Sequence, residues 1–376
     1  MEIKTRRYFI DNIRWLCILT LFPYHVFRIY NSFMEGFYVE GQNVITTTIF
    51  IVAISPWFMP LLFVIAGISS AYALNNRTKR EYIKERINKL LIPFIVGLLL
   101  VVPAQTFFAE RFHNEFTGSY LYQYILFFTS PTDLTGYRGG FTPAHLWFIL
   151  FLFVISILAL PIMAIYKRSN NKIPTEKVPL WLLVTLGIIP LLMNPILNLG
   201  GMSVGTYFAY FILGYLLLSN DTLIQKLDRF RLPLLFISLA LMVSHVGIWL
   251  LQLHNVIVFP QIITAIFMFI YGWVAILTIL GLGNRYLNFT NLKTNYLSSS
   301  AFPVYIFHQS WIITVAYFTL LATDNVSLQM VLILIISIFL TYATYEIVKR
   351  IPYINFLFGI KPNFRHMDTF DVPERY

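Results

Sequence analysis

Two residues with acid–base or anion-binding chemistry sit inside the first apolar stretch of the chain, Arg14 in IDNIRWL and His25 in FPYHVF. They are eleven residues apart, about three full helical turns, so on a helix both point the same way roughly 16 Å apart along the axis. A neutral imidazole at His25 has the basicity to take a proton from a hydroxyl and return it. The guanidinium of Arg14 has the fork that suits phosphate. An arginine in lipid costs on the order of 2.5–3.5 kcal/mol even on the mildest scale, which argues for a functional reason. Two plainer readings compete: Arg14 lies about one turn into the stretch and can snorkel to the interface, and a lone His25 can serve as an interhelical hydrogen-bonder.

Further candidates lie downstream. Arg86 and Lys89, spaced i and i+3 ahead of Leu-Leu-Ile-Pro93, would share a helix face and could clamp phosphates; a juxtamembrane basic segment serving topology and lipid contact explains the same charges. His308, in AFPVYIFHQSW with Gln309 beside it, falls mid-span in a late apolar stretch, where an interhelical hydrogen bond is the plain alternative. His145, in PAHLWF, stands where it could orient an acceptor, or simply cap a helix at the interface. No HExxH, CxxC, GxSxG, Walker loop or GxGxxG occurs, so metalloprotease, hydrolase-elbow and nucleotide-fold readings lack support. The single cysteine, Cys17, excludes an internal disulfide and a thiolate metal cluster, and no metal is expected.

The elements that must position these residues are transmembrane helices. Of 376 residues 58% are hydrophobic and 12% charged, about half the charged share of a soluble domain. Stretches long enough to cross about 30 Å of hydrocarbon run near Phe9–Tyr30, Val44–Leu74, Leu90–Phe108, Ala144–Tyr166, Val178–Met193, Val204–Leu218, Leu232–Leu251, Val256–Leu282, Leu297–Leu321 and Leu328–Val348. The fold expected is therefore all-α: a polytopic bundle of about ten transmembrane helices in the cell membrane.

The basic residues orient it. Of 27 Lys and Arg, 23 lie at the N-terminus, in every second loop or in the tail, leaving Arg14 in a span and only Arg28, Arg111 and Arg138 on the other side. The positive-inside rule then puts both termini in the cytoplasm. The net charge of +10 reads as topology and contact with anionic membrane lipids, not nucleic-acid binding. The first stretch, interrupted by Arg14, Pro23 and His25 and lacking a small-residue cleavage site, reads as an uncleaved span rather than a signal peptide.

No repeat or linker divides the chain, so residues 1–352 read as one membrane domain and 353–376 as a short cytoplasmic tail. The sizeable outward segment, Ala109–Pro143, is rich in aromatic residues and ends in TGYRGGFTP; its SYLYQYILFF could form an interfacial or re-entrant helix, and its rings fit interfacial anchoring and sugar binding equally. RTKREYIKERINKLLIPF reads as an amphipathic helix stopped or kinked at Pro93.

Together these motifs resemble the acyltransferase-3 family, polytopic membrane O-acyltransferases of cell-surface glycans and lipids. The elements matched are an acidic residue, Arg and His in the first span (Asp11, Arg14, His25); LLFVIAGIS around Gly67, with Ala66 in place of the family's serine; a basic pair before proline (Arg86 and Lys89, with lysine replacing the commoner arginine); HLWF with His145 and Trp147; and FPVYIFHQ around His308. The late motifs are most similar to glucan-modifying and succinyltransferase-like branches. The resemblance implies that an acyl group, acetyl or succinyl-like, moves from cytosolic acyl-CoA to a hydroxyl of an extracytoplasmic glycan or glycolipid. His25 would be the general base; Arg14, Arg86 and Lys89 would face the donor's phosphates; Asp11, His145, Trp147 and His308 would complete the site. The oligomeric state, a homodimer included, is left open. The rivals are a transporter or flippase for a glycan or lipid, and a non-catalytic receptor or scaffold; the absence of an inverted repeat weighs against the first.

Overall fold

A computed structural model describes residues 7–360 except 34–35, 131–135, 138, 170–172, 200, 255 and 257–258. Lys4, Arg6, Arg138, Lys172 and the tail from residue 361 onward, with Lys361, Arg365 and Arg375, lie outside the described residues.

Each of the ten apolar stretches contains helix among its described residues. In chain order the elements are α1 (Tyr8–Ile29), α2 (Ile45–Asn75), the composite α3 (Lys79–His113), α4 (Tyr120–Thr129), α5 (Ala144–Leu158), α6 (Leu160–Arg168), α7 (Leu180–Leu192), α8 (Val204–Leu218), α9 (Asp221–Arg229), α10 (Arg231–Leu253), α11 (Gln261–Tyr286), α12 (Leu292–Ala322) and α13 (Val326–Arg350). A two-stranded ribbon, Asn198–Leu199 with Met202–Ser203, precedes α8, and a short α14 (Ile354–Leu357) follows α13. Six of these helices are long and apolar enough to cross a membrane, and eight spans result if the bent pairs α5–α6 and α8–α9 each count once. α1 is 22 residues long but carries Asp11, Arg14 and Arg28, which lower its hydropathy, while α7 is a shorter apolar helix. The chain is therefore a multi-pass helical membrane protein.

The packing centres on α1, α2 and α12, with α1 against α2, α12, α11 and α13. α2 meets α8 at backbone contact: a Cβ at Gly67 would lie 2.0 Å from the Phe211 carbonyl oxygen, and one at Gly214 would lie 2.3 Å from that of Val64. Small residues let helices approach this closely where no hydrophobic force separates helix from lipid. Gly67 thus has a packing reason of its own. α10 and α13, by contrast, expose most of their apolar surface, as expected of helices facing acyl chains.

One end of the bundle gathers the start of α1 with the ends of α2 and α11. There Arg7 pairs with Asp221 and donates to the Ser219 carbonyl, Lys167 reaches the Leu74 carbonyl, and Asn12 donates to the carbonyls of Leu287 and Phe289. Lys226 and Lys349 lie at this same end, Lys349 over the rings of Tyr296 and Tyr345. Arg28, at the far end of α1, and Arg111, near the end of α3, lie opposite.

α3 starts at a capping box made by Thr78 and Glu81, and of the stop or kink expected at Pro93 the stop does not occur. Proline lacks the N–H that would bond the carbonyl four residues back, and a π turn over Ile87–Leu91 takes up the break, so the helix runs on to Leu100 before Val101.

Candidate active site

At the basic end, α1, α2 and α3 converge on two adjacent serines. Arg14 Nη1 donates to Asp11 Oδ1 at 3.0 Å, and its Nη2 donates to Ser69 Oγ at 3.0 Å. Arg86 Nη2 donates to Ser70 Oγ at 3.2 Å, Tyr82 Oη donates to the same oxygen at 3.0 Å, and the guanidinium lies 4.5 Å over the Tyr82 ring centre. Two guanidinium groups are thus held on neighbouring residues of one helix, with Arg86 Nε buried and lacking a hydrogen-bond partner among the described residues.

Lys89 is not part of this group. Its ammonium is half-exposed and donates to Glu85 Oε1 at 2.6 Å, and it lines an open pocket of about 370 Å³ with Arg77, Lys84, Asn88 and Phe356. The shared face expected for Arg86 and Lys89 assumes α-helical pitch; the π turn between them is wider, so three residues subtend a smaller angle and Lys89 rotates away.

At the other end of α1, three histidines from α1, α5 and α12 come together. The His25 and His308 ring centres are 5.2 Å apart, and His145 stands edge-on to His308 at 5.1 Å. His145 and His308 are buried; His25 is partly so. His145 is locked at both nitrogens. Its Nε2 donates to the Ile306 carbonyl at 2.9 Å, which puts the proton there and leaves Nδ1 to accept from Gln105 Nε2 at 3.2 Å. Gln105 also donates to Ser310 Oγ at 2.8 Å, and Ser310 Oγ in turn donates to the Val101 carbonyl at 2.8 Å. The Tyr305 hydroxyl donates to the His145 carbonyl. His145 therefore ties α3, α5 and α12 together.

His308 is held at one nitrogen only. Nδ1 donates to the Tyr305 carbonyl at 2.6 Å, while Nε2 is buried without a partner among the described residues; His25 Nδ1 is in the same condition. An unmet buried polar group costs about 1–3 kcal/mol. Gln105 Oε1, on the side chain that donates to His145, adds a third such atom, so unmet groups gather around this cluster. Among the described residues no group of three or more His, Cys, Asp or Glu side chains is placed to hold a metal ion.

An aromatic wall adjoins His25. Phe37 stacks on it at 6.5 Å, Tyr24 meets it edge-on and bonds Ser55 Oγ at 3.0 Å, and Tyr137 packs against Phe37 and Tyr38. Arg28 lies over Phe33 and Phe37 at 5.6 and 5.5 Å. Trp147 is further off, packed on Phe63, Phe151 and Tyr207. Gln105 and the Ser69–Ser70 pair were not singled out from sequence, although a glutamine inside VVPAQTFF carries the usual signal of a polar group in an apolar span.

The chain matches a family model described as an acyltransferase domain over residues 7–346. It belongs to the acyltransferase-3 family. Its relatives include the glucans biosynthesis protein C of Escherichia coli strain K12, 25% identical over 393 residues, and that of Shigella dysenteriae serotype 1, 26% identical over 392 residues; each match covers 95% of both chains. No solved structure matches the chain. The protein is thus a membrane acyltransferase, similar over nearly its whole length to glucan biosynthesis proteins.

Proposed function

We propose that this acyltransferase-3 protein transfers an acyl group from acyl-CoA in the cytoplasm to a hydroxyl of a glycan or glycolipid outside, through a bundle of ten spans with both termini cytoplasmic. The observation that carries this reading is the division of α1. Beside its basic end Arg14 and, from α3, Arg86 rest on Ser69 and Ser70, suited to phosphates, and at its other end His25 meets the imidazoles of α5 and α12, suited to proton transfer.

In this scheme the nucleotide of the donor lies at the basic rim, where Lys89 and Lys84 line the open pocket, and its phosphates approach Arg86 and Arg14. The acyl-bearing arm follows α1 towards His25. An acceptor sugar reaches the half-buried Tyr24 beside His25, while buried Phe37, stacked on the imidazole and covered by Arg28, holds the His25 ring in place. His25 takes the hydroxyl proton as the oxygen attacks the thioester carbonyl, then returns it to the leaving thiolate. Asp11 holds the Arg14 guanidinium in place. His145 holds the third ring of the cluster and orients the helices that carry the site.

The test is transfer by purified protein in lipid nanodiscs, with radiolabelled acetyl-CoA and succinyl-CoA as donors and a mixture of glucan oligosaccharides as acceptors. Labelled glucan together with free CoA thiol is the expected result. A transporter or flippase would leave both thioesters intact, and comparing the surface glycans of a deletion strain by mass spectrometry would then show a missing glycan rather than a missing acyl group.

A further inference from the structure

The reading of His25 as base leaves one feature of the cluster unused. His308 donates its Nδ1 proton to the Tyr305 carbonyl, so the neutral ring has a bare lone pair on Nε2, and that nitrogen is buried with no partner among the described residues. The rings around it offer no proton: Phe22 and Tyr305 present ring faces or edges at 5.8 and 5.7 Å, and both nitrogens of His145 are taken. The other unmet atom nearby, Gln105 Oε1, is itself an acceptor. His25 Nδ1 is the one unmet atom of the cluster that can carry a hydrogen. Imidazole nitrogens stand a little over 1 Å from the ring centre, so with ring centres 5.2 Å apart the two unmet nitrogens, which do not bond to each other in this structure, reach about 3 Å once the His25 ring turns about its Cβ–Cγ bond.

We propose that His308 is a positioning residue for His25: once the acceptor is bound and the His25 ring has turned, its Nε2 accepts a hydrogen bond from His25 Nδ1–H and so fixes the tautomer whose Nε2 lone pair meets the acceptor hydroxyl. The inference rests on the assignment of His25 as base. A histidine without such an acceptor also populates the Nε2–H form, which cannot take a proton at that atom. In the reaction the hydroxyl proton passes to His25 Nε2, the hydroxyl oxygen bonds to the thioester carbonyl carbon, the carbon–sulfur bond breaks, and the proton goes from His25 to the departing sulfur. His308 gains and loses no proton. It shares the charge that His25 carries in between, as a buried carboxylate does in a hydrolase triad, but with a neutral partner that lipid tolerates better.

The test compares His308→Leu, which fills the site but accepts no hydrogen bond, with His308→Gln, whose amide oxygen does. Both are assayed in nanodiscs with acetyl-CoA or succinyl-CoA and glucan oligosaccharides, alongside His25→Gln. His308→Leu should lower kcat about 10²-fold with KM for donor and acceptor unchanged, and His308→Gln should restore at least a tenth of wild-type kcat. If the leucine variant does not accumulate, His308→Met, unbranched and compliant in packing, takes its place. Wild-type kcat in the leucine or methionine variant, or a glutamine variant as slow as they are, overturns the role of His308. An active His25→Gln overturns the base itself; an inactive one beside a normal His308→Leu overturns only the inference drawn here.

Discussion

Arg14 and Arg86 come from two helices far apart in sequence, yet they bond to adjacent residues of a third, Ser69 and Ser70 of α2. Each serine hydroxyl donates to its own helix, to the Ile65 and Ala66 carbonyls, and accepts from the guanidinium. Both cations are therefore steadied by hydroxyls of α2, Arg14 with the Asp11 carboxylate in addition, and Arg86 keeps a buried Nε–H without a partner among the described residues.

This makes Arg86 and Lys89 unequal. Arg86→Ala should raise the KM for acyl-CoA about tenfold or more while leaving the KM for the acceptor near wild type, a pattern of lost donor binding. Lys89→Ala should change it far less, because Lys89 is half-exposed and already engaged with Glu85, and exposed pairs contribute about 0–1 kcal/mol. Equal effects of the two substitutions, measured by steady-state kinetics, would remove the distinction that the π turn creates.

His25→Ala should abolish detectable transfer while expression, thermal stability and coenzyme A binding stay near wild type. A positioned base typically contributes about 10²–10⁴ in rate. His25→Gln keeps the size and a hydrogen bond but cannot take the proton, and it should be almost as slow. Binding of coenzyme A to both variants, by calorimetry in detergent, separates loss of chemistry from loss of structure.

Gly67→Ala should destabilise the bundle. Its Cβ would meet the Phe211 carbonyl, an atom of helix backbone that cannot swing aside, so α2 and α8 must part. Overpacking of this kind costs about 1–3 kcal/mol or more, visible as a lower melting temperature in detergent. A variant that melts with the wild type would mean that the two helices are not in contact in the membrane.

Reporters fused after Asn75 and at Tyr376 should read cytoplasmic, and one placed within Ala109–Pro143 extracytoplasmic. The gathering of Arg7, Lys167, Lys226 and Lys349 at one end of the bundle is the arrangement that the positive-inside rule requires. A reversed readout would place the arginine pair on the wrong side for a cytosolic donor.

Much of this was legible from residue order alone. Apolar length marked every long helix, because a backbone in lipid must satisfy its own hydrogen bonds and can do so only as a helix over that distance. The cost of burying charge singled out Arg14 and His25 without any structure. Local rules fell short at α3, where the i, i+3 spacing of Arg86 and Lys89 implies a shared face and Pro93 a stop or a kink; the π turn moves Lys89 off that face and lets the helix continue past the proline.

What sequence by itself determined is the set of helices and the presence of an arginine, several histidines and a basic rim in or beside them, since these follow from hydropathy and charge counted along the chain. Tertiary structure alone decided that His25, His145 and His308 form one cluster, that His145 is fully engaged while His25 and His308 keep unmet nitrogens, and that Arg14 and Arg86 share α2 as their support. The reason is physical: periodicity fixes the face of a helix a residue occupies, whereas the helix it meets depends on how closely backbones approach, which glycines such as Gly67 and Gly214 set at single points of contact.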